Sequence, residues 1–229
     1  MPTFTGYPAQ TLKFLHELDC NNTRDWFSAN KDRYEALVRE PSLDFIATMG
    51  PEIQKISDHY VAIPRKVGGS LMRVYRDTRF GKDKTPYKTN IGIQFRHELA
   101  RDVHAPGFYL HIDNTGCFLA AGAWRPESAA LAKIRVRIQG HPTQWKKVRD
   151  ARTFSSLYEL GGTSLKRPPR GYSPTDPMIE DLKRKDFIAS TEFSAHDIEM
   201  AGFVKQCGGA FKKASGLMAF LCAALEVPY

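Results

Sequence analysis

Residues 73–90 hold a high concentration of positively charged side chains. The segment carries six cations but only two carboxylates, Asp77 and Asp83. The cations are Arg73, Arg76, Arg79, Lys82, Lys84 and Lys88. An arginine guanidinium can bind a phosphate or a carboxylate through two parallel hydrogen bonds, and lysines add mobile positive charge. Because two carboxylates cannot neutralise six cations, the segment predicts a pocket that binds an anion.

Individual residues receive roles in this prediction from their chemistry. We expect the anionic ligand to be bound by Arg73, Arg76, Arg79, Lys84, Lys88 and Tyr109. The candidates for catalysis are Asp77, Tyr87 and His111. A carboxylate can orient an arginine or act as general base, while a tyrosine hydroxyl or an imidazole can exchange protons. Cations that hold an anionic group in place are a common source of transition-state stabilisation. The sequence nevertheless leaves open whether the chain is an enzyme.

Two other interpretations of the same cations remain. The charged side chains can form a salt-bridge network that fastens a long loop to a sheet, in a non-enzymatic scaffold whose basic residues meet an acidic protein. Alternatively, they belong to a nucleic-acid surface together with a second basic stretch and a stacking aromatic residue such as Tyr172. That second stretch contains Lys166, Arg167, Arg170 and residues 183–185. An anionic small molecule is the favoured partner, because the chain has no recognised nucleic-acid module.

The segments around these residues alternate with the period of β-strands. We predict strands over residues 71–76, 89–96, 108–113 and 117–124, with a hairpin turn over 113–116. Since apolar side chains fall on one face, the strands should be antiparallel with that face on the core. The other face brings Gln94, Tyr109 and His111 beside the small residues Gly92, Ala120 and Gly122. Small side chains beside polar ones leave room for a ligand or for a closely packed helix.

Helical periodicity dominates on both sides of these strands. Asn22 is expected to cap the second helix, which should end before Pro41, and the helix that follows should be broken or kinked near Pro51. In the second half we predict a helix over residues 176–185 and another that begins after the capping residue Ser194. We predict no strand in this half.

The predicted fold class is therefore α+β, in a single domain over residues 1–229. It consists of helical residues 8–60, an antiparallel β-meander of about four strands over 70–124, and helical residues 126–226.

Several stretches form extended motifs. The longest reads Arg-Asp-x-Arg-Phe-x-x-Asp-Lys-x-Pro-Tyr-Lys-Thr over residues 76–89, and another is Asn-Asn-Thr-Arg-Asp-Trp-Phe over 21–27. Shorter motifs are Pro-Gly-Phe-Tyr at 106–109, Gly-x-Trp-x-Pro at 122–126 and Leu-Lys-Arg-x-Pro-x-Gly-Tyr at 165–172. In these motifs the chain resembles a family of conserved hypothetical proteins, domain of unknown function 2461, over nearly its whole length. The resemblance implies one α+β domain in a soluble protein and implies no activity. Ala123 stands where a second glycine is expected, which would only reduce the available space.

The charge distribution also favours an anionic partner. The 229 residues are 42% hydrophobic and 25% charged, which excludes a disordered, collagen-like or coiled-coil chain. The net charge is +8, and it is concentrated. Residues 65–101 contain ten Lys or Arg and three Asp or Glu, and residues 133–185 contain thirteen Lys or Arg and five Asp or Glu. The remainder of the chain has a net negative charge. Such segregation favours binding to an anion but does not identify a fold.

Membrane, export and metal signals are not expected. The longest apolar run, residues 216–225, is ten residues long, whereas a membrane-spanning helix needs about 20. The first 20 residues lack a basic start followed by an apolar run. The four scattered cysteines form no Cys-x-x-Cys pair, so we expect a reduced, cytoplasmic protein. Neither the pair His111 and Asp113 nor the pair His97 and Glu98 has a recognised ligand spacing, so no metal and no cofactor are predicted.

Overall fold

Six strands of the described residues form one antiparallel sheet. The computed structural model describes residues 3–79, 81–99 and 106–229. The strands are β1 (Tyr60–Val61), β2 (Ile91–His97), β3 (Gly107–Ile112), β4 (Cys117–Ala123), β5 (Glu159–Gly161) and β6 (Phe187–Phe193). Their order in the sheet is β1-β2-β3-β4-β6-β5. The predicted α+β class and the antiparallel meander of β2, β3 and β4 are confirmed.

The described residues also contain eleven α-helices and one π-helical segment. The N-terminal helices are α1 (Thr11–Cys20), α2 (Arg24–Ala29), α3 (Lys31–Tyr34) and, after the π-helical residues Glu35–Arg39, α4 (Glu40–Gln54). The helices after β4 are α5 (Ser128–Gly140), α6 (Pro142–Arg149), α7 (Arg152–Ser155), α8 (Ile179–Leu182), α9 (Ala195–Glu199), α10 (Phe203–Lys213) and α11 (Ser215–Ala224). No helix of the described residues is long and apolar enough to cross a membrane.

Alternation along the strands assigns the two faces of the sheet. Ile93, Leu110 and Leu119 lie side by side on one face and are fully buried. Helix α10 covers this face, because the ring of Phe211 contacts those of Phe95 and Phe108. The opposite face carries the polar side chains that the alternation predicted, and it positions one of the two candidate sites.

The prediction of about four strands was incomplete, since the region after residue 126 also supplies β5 and β6. Strand β6 pairs with β4 along its length, with Ala121 opposite Ala189. Its side chains alternate between buried and exposed, so the period of two was present within a region we predicted to be helical. Of the helix predicted over 176–185, only α8 forms. The helix predicted from Ser194 is divided into α9 and α10, although the Ser194 capping box is present.

Residues 71–76 do not form the predicted strand. They make two isolated bridges, Leu71 with Ile93 and Tyr75 with Tyr87. Leu71 and Tyr75 are four positions apart, whereas Tyr87 and Ile93 are six positions apart, so two extra residues interrupt the ladder as a bulge does. The loop predicted to follow this segment begins at Phe80, which lies outside the described residues.

The N-terminal helices differ from the prediction at Pro41 and at the cap. The N-cap of α2 is Thr23, whose hydroxyl accepts the amide of Trp26. Helix α4 contains both Pro41 and Pro51, so neither ends a helix. Pro41 cannot donate to the carbonyl of Leu37, and the hydroxyl of Thr11 donates to that carbonyl instead at 2.8 Å. This bond satisfies the acceptor that the proline leaves free.

Candidate functional site

The basic segment folds into an irregular hairpin whose loop is closed by Arg76. The backbone amide of Arg76 donates to the carbonyl of Pro86, and that of Lys88 donates to Val74. The Arg76 guanidinium donates to Asp83 Oδ2 and to Thr85 Oγ1, each at 2.5 Å. The two ends of the loop are therefore joined by backbone and side-chain bonds together.

Both carboxylates of this loop are occupied by local arginine or threonine donors. Arg79 binds Asp77 through Nε at 2.9 Å and Nη2 at 2.7 Å, and these bonds hold the pKa of Asp77 well below its usual range. The amide and hydroxyl of Thr85, followed by Arg76, lower the pKa of Asp83 to about 2. Asp77 and Asp83 are therefore ionised and paired at neutral pH.

The low pKa of Asp83 makes the loop acid-sensitive. Because the folded pKa of about 2 lies below the ordinary 3.8, the stabilisation is complete above the ordinary value and is lost as pH falls towards the lower one. An NMR titration of the Asp83 carboxyl carbon should report this pKa. In Arg76→Ala it should rise, yet stay below the ordinary value because the Thr85 donors remain. An unchanged pKa in Arg76→Ala would contradict the ion pair.

The other cations of the segment have no carboxylate partner among the described residues. The ammonium of Lys84 donates to the carbonyl of Thr78 at 2.8 Å, which leaves its charge uncompensated. Arg73, Lys82 and Lys88 make no ion pair with any of the described residues. Burial, and then the nearby charge of Arg73, lower the pKa of Lys88. The excess of positive charge predicted from the sequence is therefore present around this hairpin.

An open cleft of about 940 Å³, here called the basic cleft, separates the hairpin from the start of α2. Its charged lining residues are Arg24, Arg76, Lys84 and Asp25. Tyr75, which is 52% exposed, and Tyr87 contribute aromatic surface. Since Arg76 is paired with Asp83, Arg24 and Lys84 against the one carboxylate of Asp25 make the described lining electropositive.

Asn22 fixes the two walls of the basic cleft relative to each other. Its side-chain oxygen accepts the amide of Tyr87 and its side-chain nitrogen donates to the carbonyl of Tyr87, both at 3.0 Å. The rings of Tyr87 and Phe27 stack with centroids 4.0 Å apart. The Asn-Asn-Thr-Arg-Asp-Trp-Phe motif and the long basic motif therefore meet in one structure.

A second space, here called the sheet-face cavity, lies on the face of the sheet opposite α10. It has a volume of about 420 Å³. Its lining residues are Met72, Gln94, Gly107, Tyr109, His111, Phe118, Ala120, Gly122, Trp124 and Ile188. Neighbouring strands bring Gln94 opposite Tyr109, and His111 opposite Phe118.

A chain of hydrogen bonds lies at the wall of this cavity. The hydroxyl of Tyr109 lies 3.0 Å from His111 Nδ1, and His111 Nε2 lies 3.1 Å from Asp113 Oδ2. Burial, and then the charge of Asp113, raise the pKa of Tyr109 to about 12. Burial also opposes ionisation of Asp113, but hydrogen bonds from Thr115 and His111 outweigh it and lower the pKa of Asp113.

The residues predicted to form one pocket are divided between these places. Arg76, Lys84 and Tyr87 line the basic cleft, whereas Tyr109 and His111 line the sheet-face cavity. Lys88 borders a void of only about 10 Å³ beside α1. Arg73, Arg79 and Asp77 line none of these three spaces.

Sequence reasoning overlooked Arg24, Asp25 and Asn22 as site residues. The signal that could have found them is the motif over residues 21–27, which we used only for a helix cap and for the resemblance. In the part of the chain that is described, no three His, Cys, Asp or Glu side chains are grouped so as to hold a metal ion.

These features define an α+β protein with helices packed on one face of an antiparallel sheet, a small cavity on the other face, and an electropositive cleft between the hairpin and α2. The chain matches the family described as conserved hypothetical protein (DUF2461) over residues 10–220, and it belongs to that family. No curated protein and no solved structure matches the chain.

Proposed function

We propose that the protein binds a phosphorylated or otherwise anionic small molecule in the basic cleft. The observation that carries this proposal is the pairing within the loop. Asp77 and Asp83 are occupied by Arg79 and Arg76, so they do not neutralise Arg24 and Lys84 on the cleft walls. An anion that enters the cleft gains charge-assisted hydrogen bonds from cations that have no carboxylate partner among the described residues.

The shape of the cleft favours a small molecule with a non-polar part. Tyr75 and Tyr87 offer ring faces beside the cations, and such faces suit a sugar or a planar group attached to the anion. We assign Asp77 the role of orienting Arg79, because a carboxylate whose pKa is held so low is a weak base. The proposal is therefore one of binding, and it assigns no reaction to this cleft.

Calorimetric titration with glycerol phosphate and with pyrophosphate tests the proposal, with glycerol as the neutral control. We expect both anions to bind and glycerol not to bind. Lys84→Ala and Arg24→Ala should each weaken binding about fivefold, since each removes one solvent-exposed ionic contact worth about 1 kcal/mol. The matched control is Lys82→Ala, which removes a lysine of the same loop that does not line the cleft.

Two outcomes would overturn the proposal. If neither anion binds, the cleft is not an anion site. If Lys82→Ala weakens binding as much as Lys84→Ala, the effect is one of overall charge and not of the cleft.

The alternatives predicted from the same cations are distinguished by the same variants. The pairs Arg76–Asp83 and Arg79–Asp77 support a structural network, and that account requires Arg76→Ala to unfold the protein without any ligand. A nucleic-acid surface requires binding of a single-stranded oligonucleotide that falls steeply with salt and depends on Arg167. Against it, Lys183 pairs with Glu180 and Arg184 with Asp181. A cytoplasmic location, expected from the scattered cysteines, remains part of our proposal.

A further inference from the structure

The hydrogen bonds around His111 assign its tautomer. One oxygen of Asp113 accepts the amides of Thr115 and Gly116 and the hydroxyl of Thr115, so the ionised carboxylate is held in one orientation. Its other oxygen faces His111 Nε2 at 3.1 Å, and an ionised carboxylate accepts only, so Nε2 carries the proton. His111 Nδ1 is then a lone-pair acceptor, and it faces the Tyr109 hydroxyl at 3.0 Å and the Asn90 amide nitrogen at 3.4 Å.

This arrangement prepares Tyr109 to accept a proton from a ligand. Because the Tyr109 hydroxyl donates to His111, its oxygen lone pairs are free to accept a hydrogen bond from a group in the cavity. In a catalytic triad, a hydroxyl is likewise hydrogen-bonded to an imidazole that a carboxylate orients, and the imidazole takes up the proton of the hydroxyl. The chain Asp113–His111–Tyr109 is here called the relay.

The sheet-face cavity has an uncharged lining, so it favours a different kind of ligand from the anion proposed for the basic cleft. No Lys, Arg, Asp or Glu is among its described lining residues, so a ligand that enters already charged would lose its hydration without an ionic partner. Phe118, which stacks on His111 with centroids 4.7 Å apart, and Trp124, which is 47% exposed, supply flat apolar walls. The small residues at 120 and 122 leave the space between these walls open.

We propose that the sheet-face cavity is a second site, which binds a planar aromatic molecule through one acidic hydroxyl and removes its proton through the relay. The ligand O–H bond breaks and its proton goes to the Tyr109 oxygen, while the Tyr109 proton goes to His111 Nδ1. The products are a bound phenolate, a neutral Tyr109, and an imidazolium whose Nε2 proton faces Asp113. No oxidant, metal or leaving group is needed, and the proposal does not depend on the function of the basic cleft.

Binding of para-nitrophenol to the full chain tests both parts, because the visible absorbance of nitrophenolate reports its ionisation in the site. Titration of the complex with acid gives the apparent pKa of the bound phenol. We expect this pKa to be about one unit, or tenfold, lower in the unmodified protein than in His111→Gln or Asp113→Asn. Tyr109→Phe should also lose the shift, since it removes the atom that accepts the proton.

A variant that fills the cavity establishes where the phenol binds. Ala120→Leu should abolish binding, and Ile188→Phe serves the same purpose if Ala120→Leu fails to fold by circular dichroism. Lys84→Ala, in the basic cleft, should bind the phenol as the unmodified protein does. The relay variants should in turn keep their affinity for glycerol phosphate, so failure of one proposal is distinguishable from failure of the other.

Three results would overturn this proposal. The first is the absence of phenol binding, and the second is binding that survives in the folded, cavity-filled variants. The third is binding with the same apparent pKa in the unmodified protein and in the three relay variants, which would leave a cavity without proton transfer.

Discussion

Gly122→Ala should unfold the protein or lower its free energy of unfolding by about 4 kcal/mol, the range in which a single substitution points to a specific structural clash. Gly122 has a φ of +127°, which side-chain-bearing residues rarely adopt. A Cβ atom there would lie 2.0 Å from the carbonyl oxygen of Phe187 in the neighbouring strand. Gly122 and Phe187 both belong to the paired backbone of these strands, so neither can move without breaking the contact between β4 and β6.

Urea denaturation followed by circular dichroism measures this effect, and Gly116→Ala is the matched control. Gly116 precedes the same strand, and a Cβ atom there meets nothing within 4 Å. Gly116→Ala should therefore change the free energy of unfolding by less than about 1 kcal/mol. Equal midpoints for Gly122→Ala and Gly116→Ala would contradict the close approach of β6 to β4.

Strand alternation was a sound guide where the apolar residues are large. Ile91, Ile93 and Phe95 share a face with a clear period of two, and β2 forms there. In β6 the buried positions after Phe187 are Ala189 and Thr191, whose weak apolar signal is surrounded by strong helix caps. The β6 pattern was therefore dominated by the helical signals on either side of it.

Local spacing could not reveal contacts made across long stretches of sequence. Asn22 and Thr23 both belong to residue types that cap helices, and spacing alone favoured Asn22. In the structure Asn22 is used 65 residues away, at Tyr87, and Thr23 takes the cap. Such a choice between adjacent residues is decided by tertiary packing, which the helix pattern does not contain.

For the candidate sites, too, residue types indicate which side chains are present, whereas the direction of each side chain decides which of them line a common space. Residue types indicated the excess of cations near the hairpin, and alternation indicated that Tyr109 and His111 share a face with small residues. The sequence contained no information on whether each arginine points to a shared space or to a neighbouring carboxylate. Arg79 reaches back two residues to Asp77, so it contributes to the loop and not to the lining of the basic cleft.

Asn22→Ala should lower the free energy of unfolding by about 2–3 kcal/mol, because it leaves both the amide and the carbonyl of Tyr87 without their partner. It should also weaken the binding of glycerol phosphate, since Asn22 holds α2 against the hairpin that carries Lys84. Urea denaturation and calorimetry measure the two effects on the same protein.

The adjacent Asn21 provides the matched control. Its side chain is exposed and, among the described residues, donates only to the carbonyl of Glu17 in the preceding helix α1, at 2.8 Å. Asn21→Ala should therefore lower the free energy of unfolding by about 0.5 kcal/mol and leave the binding of glycerol phosphate unchanged. If Asn22→Ala were as mild as Asn21→Ala, the two motifs would not be joined by this residue. The walls of the basic cleft would then have to be held by the stacking of Phe27 on Tyr87, and Phe27→Leu, which keeps an apolar side chain but removes the ring, should produce the loss instead.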